Sequence, residues 1–394
     1  MQIYFYELEN YFEKNGYLGY DPYDVFDTKI FHKLKKHENI FLIKILLIIY
    51  EQVCMLFPRL VRFLFVSKSI NHKSVALMGL ARINRFINTK NKIYLKKAQQ
   101  DCEFLFEEFK IHGQTKNLSF GYPFHWYSPI PLPAYTPSGI VSVHCGLLFL
   151  KTYELTGLDK YKRWSIEVAN FCLDELNQFE NEKSEICFSY TPLDNYCVHN
   201  VNLFVSHYLI TLGKKFNNKK YFSFGKKSFE FSFNSLPLKG YLPYWAKNSK
   251  SVNIKLANHI DHYHTSYELR LMYEISNELE DNFIKLKVED KVKQYFYDFY
   301  TNENFPKYSP KSLYPINFAT ITESIYMRII FSKIMKFSDE DNEKYIKSVL
   351  NRVSYKKNKY SYQIRKFFGL SLIVKGDFHR WIYSWLYYVL SFKS

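Results

Sequence analysis

Apolar residues recur at helical spacing over most of this chain, in stretches separated by short polar turns, and one unit of the pattern repeats along it. The unit is an apolar helix-like stretch, a polar turn, and a second helix opening on Lys or Asn shortly before a Tyr. One copy runs from Lys73-Ser74-Val75 through Asn91-Lys92-Ile93-Tyr94 into Ala98, and the next from Val143-His144-Cys145 through Gly157 and Lys160-Tyr161 into Ala169. A third starts near His199-Asn200 and re-enters at Lys220-Tyr221. A fourth spans 265–275 and 281–300, and a fifth opens at Phe318 and resumes at Glu343-Lys344-Tyr345. The last helix begins near His379-Arg380-Trp381.

With Ala81, Ser142, His199, Thr265, Phe318 and Arg380 as markers of the first helices, the gaps are about 61, 57, 66, 53 and 62 residues. These exceed the ~34 to 47 residues of common helical solenoids and leave room for a long loop in each unit. The pattern predicts an all-α fold, an (α/α)6-type toroid over 71–394, preceded by an aromatic, partly amphipathic extension over 1–70. In such a ring the loops entering the inner helices face a shared funnel. Two of these loops, 121–127 and 189–195, combine Gly or Pro with aromatic and polar residues, so regular structure stops where side chains can meet a ligand.

Composition narrows the setting. With 35 Tyr and 36 Phe among 394 residues, the chain can fill a large core and still line a groove with rings. The six cysteines have no CxxC or zinc-knuckle spacing and read as reduced structural thiols, and the amino terminus lacks the basic start and apolar run of an export signal; both point to a cytoplasmic protein. The formal charge of +16 favours anionic partners without choosing among them, and no nucleic-acid motif accompanies it. The apolar segment 40–66 is interrupted by Lys44, Glu51, Pro58, Arg59 and Arg62, too often for a spanning helix of ~20 residues. It is expected to pack on the body as an amphipathic helix or to lie on the inner membrane as a peripheral contact.

The richest chemistry lies in 258–268, Asn-His-Ile-Asp-His-Tyr-His-Thr-Ser-Tyr-Glu. Helix entry near Thr265 would place Asp261, Tyr263 and His264 in the preceding turn and Glu268 one turn inside. A carboxylate, an imidazole and a phenol would then share one pocket, with Asp261 and His264 as the leading acid/base pair. Helix capping by Asp261 or Thr265 is the structural alternative. Asp194 is a second catalytic carboxylate or a helix cap, and His199, Asn200 and Asn202 follow it as donors and acceptors for sugar hydroxyls. Asp21 and Tyr23 are placed to fold over the funnel mouth; His125, Trp126 and His144 are placed to line a subsite. Arg380 would hold a carboxylate bidentately, or form an internal salt bridge. No metal and no cofactor are expected: Asp261, His262 and His264 do not match HExxH, and neither a phosphate-cradling glycine loop nor a GxSxG elbow occurs.

Several of these residues carry a family resemblance. The stretch Gly19-Tyr20-Asp21-Pro22-Tyr23-Asp24, the pair His144-Cys145, residues 187–192 with Asn200 and Asn202, the segment 261–265, and Arg380-Trp381 resemble the six-hairpin bacterial polysaccharide-biosynthesis proteins of the VpsJ group. The likeness covers roughly 17–392 and implies a toroid engaged in making capsule, exopolysaccharide or O-antigen. More distantly, Asp261 to Thr265 is similar to the Asp-Tyr-His-Thr segment of glucuronyl C5-epimerase toroidal domains, with one residue inserted, and Thr136-Pro137-Ser138 is similar to their Thr-Pro entry. The expected function is a carbohydrate-active enzyme on an acidic bacterial surface polysaccharide, by hydrolysis, elimination or epimerisation. The alternative is a non-catalytic glycan-binding or scaffold component of the assembly machinery.

Overall fold

A computed structural model describes residues 2–63, 66–127, 130–246 and 258–393. Helix entry is set locally by side-chain caps. Asn71, Ser138, Asp261 and Asn317 each accept a backbone N–H at the start of an inner helix, and Asn91, Asn218, Asp281 and Ser338 do so for outer ones. The polar turn residues of the repeat are thus the caps of the helices that follow them.

Five hairpins follow in chain order: His72–Thr89 with Lys92–His112, Gly139–Thr156 with Asp159–Asp174, His199–Lys215 with Lys219–Asn234, His262–Leu279 with Asn282–Asp298, and Phe318–Ile330 with Asp339–Val353. The first helix of each is the more deeply buried. Each inner helix touches the next, and the sixth, a π-helical turn His379–Ser384 running into Trp385–Leu390, packs on both the fifth and the first. The six inner helices therefore form a closed ring. Within the third hairpin, a Cβ at Gly213 would lie 2.6 Å from the Phe222 backbone nitrogen, so glycine is what allows its two helices to meet.

The sixth inner helix takes its outer partner from the other end of the chain. In Gln2–Asn15, Phe5 stacks on Tyr387 at 4.5 Å between ring centroids and Tyr11 on Tyr383 at 4.0 Å. A buried polar knot fastens this end to the first hairpin: Asp101 accepts from Tyr17 Oη at 2.5 Å and pairs with Arg82. Asp101→Ala would leave the Arg82 guanidinium without its counter-charge, a loss of about 3 to 5 kcal/mol. Thermal or denaturant unfolding checks this, and a variant as stable as wild type would show that the knot does not hold the ring.

Residues 18–63 and 66–70 form a layer on the ring. A 3-10 turn Asp24–Asp27 and helices Lys29–Lys35, Phe41–Leu56 and Pro58–Phe63 gather around a small core of Val25, Phe26, Phe31, Leu47 and Cys54. Trp126 and Tyr127 of the loop before the second hairpin pack against this core. Among the described residues, no helix is long and apolar enough to cross a membrane. The one sizeable sheet, Ser354–Lys356, Lys359–Phe367 and Leu370–Lys375 with Ile316–Asn317, departs from the helical expectation. Its longest strand alternates ring or branched residues, Tyr360, Tyr362 and Ile364, with polar Ser361 and Gln363.

Candidate active site

The entries of the six inner helices converge on one cavity of about 490 Å3. Each contributes to its wall: Lys73, Ile140, Asn200, Tyr263 with Asp261 and His264, Asn317, and Arg380 with Trp381. The loops between hairpins add rings, among them Tyr122, Trp126, Tyr190, Tyr244 and Tyr308. Such faces suit the C–H side of a sugar ring while their polar ends bond its hydroxyls.

Asp261 organises one corner of the cavity. As N-cap of His262–Leu279 it accepts the His264 backbone N–H through Oδ1 at 3.0 Å. Its Oδ2 takes two imidazoles, His264 Nδ1 at 2.6 Å and His259 Nε2 at 3.0 Å. Burial disfavours the Asp261 charge, but His264 and His259 outweigh it and hold the carboxyl well below the usual carboxylate range. The same bond raises the His259 pKa. With Nδ1 donating to Asp261, His264 presents Nε2 toward the cavity, where none of the described residues hydrogen-bonds it. Tyr263 lies beside the imidazole, ring centroids 3.9 Å apart, its phenol kept neutral first by burial and then by the Asp261 charge. Capping and imidazole orientation are thus two tasks of one carboxylate.

His262 has no part in this corner. Its Nδ1 bonds the Lys307 carbonyl at 2.9 Å and its Nε2 meets Tyr295 Oη. A metal on Asp261, His262 and His264 would need that ring turned around.

The other expected site residues divide. Tyr23, Trp126, Asn200 and Arg380 line the cavity, and the buried Asn200 Oδ1 has no hydrogen-bond partner among the described residues. Asp194 also lines it, but its carboxylate accepts from Tyr190 N, Thr191 N, Thr191 Oγ1 and Tyr196 N at 2.6 to 3.1 Å. It ties its own loop and caps no helix, which leaves it no free acceptor for chemistry. Asp21 sits behind Arg380, 3.8 Å from Nε, its pKa pushed up to about 6 by burial against the pull of that guanidinium.

With Asp21, five more expected residues lie outside the cavity lining. His144 bonds the Ile140 carbonyl at 2.6 Å, as a helix histidine does four residues on. His199 turns to Ser232 at 3.2 Å and packs on Phe231 of the outer helix, where burial lowers its pKa to about 4. Asn202 is fully engaged with Phe188 N, Ser228 and Ser232. Glu268 is buried, and burial raises its pKa well above the ordinary value. His125 is held by Asp27 at 2.5 Å and, with His32, forms a group whose ligand atoms lie within 4.8 Å of one another.

Sequence reasoning missed Lys73, buried among Trp385, Tyr267 and Phe204 with ring centroids 5.1 to 5.9 Å from Nζ. Among the described residues no carboxylate pairs with it, and burial, then Arg380, lower its pKa well below the usual lysine value. Lys73-Ser74 appeared only as a repeat marker. A lysine in the first turn of a buried inner helix was the available signal. Arg365, Tyr244 and Tyr308 are further lining residues that no motif announced.

The sequence matches no protein-family model and no curated protein. Solved structures do resemble it. Cellobiose 2-epimerase from Bacillus thermoamylovorans aligns with a TM-score of 0.58 at 12% identity, over 82% of this chain and 87% of the other. The GH76 α-mannanase of Bacteroides thetaiotaomicron gives 0.55 at 10% identity, over 81% and 84%. A possible GH105 member from Salmonella enterica gives 0.55 at 13% identity, over 82% and 81%. What is shared at such identities is architecture: this chain is an (α/α)6 toroid.

Proposed function

We propose that this protein is a carbohydrate-active enzyme that moves a proton at a carbon of an acidic sugar in a polysaccharide or oligosaccharide, as an epimerase or lyase does. The observation that carries it is the Asp261–His264 pair, an oriented imidazole with a free nitrogen inside an aromatic cavity. Hydrolysis by paired carboxylates finds less support. Asp194 and Asp261 are the carboxylates lining the cavity among the described residues, and both are committed to other partners. The neighbouring solved structures include sugar epimerases and glycosidases, so the toroid accommodates either chemistry.

An acidic sugar fits the balance of charge. Arg380 and Arg365 line the cavity, and a carboxylate held by their guanidinium groups would make its neighbouring C–H more acidic. His264 Nε2 would then take the proton, and Tyr263 is placed to return or donate one. Capsule, exopolysaccharide or O-antigen chains containing uronate are the substrates to try.

Incubation of such glycans with the enzyme in deuterated water tests this. Deuterium at a sugar carbon is the expected result for epimerisation, and absorbance of an unsaturated uronate for elimination. New saturated reducing ends alone would mean hydrolysis and overturn the proposal. Tight glycan binding with no chemical change would favour the non-catalytic binding or scaffold reading.

A further inference from the structure

We infer that the apolar, basic face formed by helix Phe41–Leu56 and the tip of the strand hairpin at 367–370 docks on an anionic lipid bilayer, with the cavity mouth beside it. The helix buries only Leu47 and Cys54. Phe41, Leu42, Ile45, Leu46, Ile48, Ile49 and Val53 are exposed, Phe41 at 74% and Leu42 at 69%. At 3.6 residues per turn they cover an arc of about 160°, the surface a water-facing helix fills with charge.

A second element repeats the feature. The hairpin Lys359–Phe367 and Leu370–Lys375 turns at Phe368-Gly369, both with positive φ, and the turn exposes Phe367, Phe368 and Leu370, Leu370 at 77%. The short helix Pro58–Phe63 follows the apolar helix and runs beside Leu370–Lys375. That short helix joins the two apolar elements.

Charge selects the occupant. Residues 29–68 hold eight basic side chains against two acidic, and 359–375 hold four against none, so these segments carry ten of the chain's sixteen excess positive charges. A second copy docking face to face would oppose this charge with itself. Anionic lipid headgroups complement it, and acyl chains accept the exposed rings and branched side chains. At 16 residues the helix is shorter than the ~20 needed to span, so it lies in the interface.

The docking face and the cavity share structure. Gln363 and Arg365 of the hairpin line the cavity, as does Trp126, which packs on the small core beneath the apolar helix. If the carbohydrate reading of the site holds, its substrate is a glycan carried on a membrane lipid.

Flotation of the full-length chain with vesicles tests the docking surface without any glycan. Vesicles of phosphatidylcholine mixed with phosphatidylglycerol should carry the protein upward, phosphatidylcholine alone should carry little, and added salt should weaken the binding. Leu42→Asp with Leu46→Asp, and separately Phe368→Asp, should each lower the bound fraction about 10-fold, since a charge at the apolar face opposes insertion. Both lie on the surface, so the thermal melt should stay where it is. Failure of the wild type to float with the mixed vesicles overturns the inference, as does binding that both variants leave unchanged. Light scattering showing a dimer that these variants dissolve would assign the face to a second copy instead. Deuterium exchange on a soluble glycan is read separately, so either proposal can fail alone.

Discussion

His264→Ala should lower turnover about 10²- to 10⁴-fold, the range that a positioned proton-transfer group contributes. The imidazole is anchored at one nitrogen and open at the other, 2.6 Å from Asp261 on the anchored side. Removing the ring takes away the proposed proton acceptor and leaves the cavity walls in place. His264 sits in the first turn of its helix and the cap comes from the Asp261 side chain to a backbone N–H, which alanine retains. The helical circular-dichroism signal should therefore change little. The melting temperature should fall, because buried Asp261 keeps only His259 as its imidazole partner, and glycan affinity should fall far less than turnover. Measuring kcat and KM separately makes this decisive: a variant that loses only affinity would make His264 a binding residue, and one with wild-type turnover would remove it from the reaction.

The repeat of inner and outer helices was legible because most turns use a capping residue followed by an apolar stripe, both local properties. Asn71, Ser138 and Asn317 are of this kind. Closure of the ring was not legible in the same way. The partner of the last helix is Gln2–Asn15, and no local pattern joins the two ends of a chain. The strand hairpin was missed because a helical period was sought where Tyr360, Tyr362 and Ile364 alternate.

Within the site, residue type indicated location better than role. Asp261, Tyr263 and His264 meet in the cavity because capping fixes them at a helix entrance. His144, His199 and Asn202 occur in comparable helix entrances yet turn toward backbone or outer helix, since one residue along a helix rotates a side chain by about 100°. Asp194 differs for another reason: its carboxylate is consumed by the backbone of its own loop, a matter of loop conformation that residue type does not carry. Lys73 was hidden for a third reason. A lone lysine in a basic chain looks like surface until neighbouring helices bury it.

Asp261→Asn separates the two tasks of this carboxylate and should lower turnover about 10²- to 10⁴-fold with the helix cap intact. Asn caps as well as Asp, so the His264 backbone N–H keeps its acceptor. The amide, however, can present its NH2 to His264 Nδ1, which must then accept, leaving the proton on Nε2 where the site needs a lone pair. Charge is lost as well, and with it the support for an imidazolium. A second readout follows from His259, whose pKa the Asp261 bond raises. A histidine with a raised folded pKa adds stability that is complete below its unfolded value near ~6.5 and is lost as pH rises through the folded value. Wild-type melting temperature should therefore decline as pH climbs from the ordinary histidine range upward, and the variant should lack that component. Asp261 itself contributes in the opposite direction: its depressed pKa stabilises the fold above the ordinary carboxylate range, an effect lost only as pH falls through its folded value. An Asn variant with wild-type turnover and an unchanged melting profile on the alkaline side would show that the Asp261 charge orients nothing. Loss of turnover with a flattened profile and an unshifted helical signal is the outcome that the geometry of this corner requires.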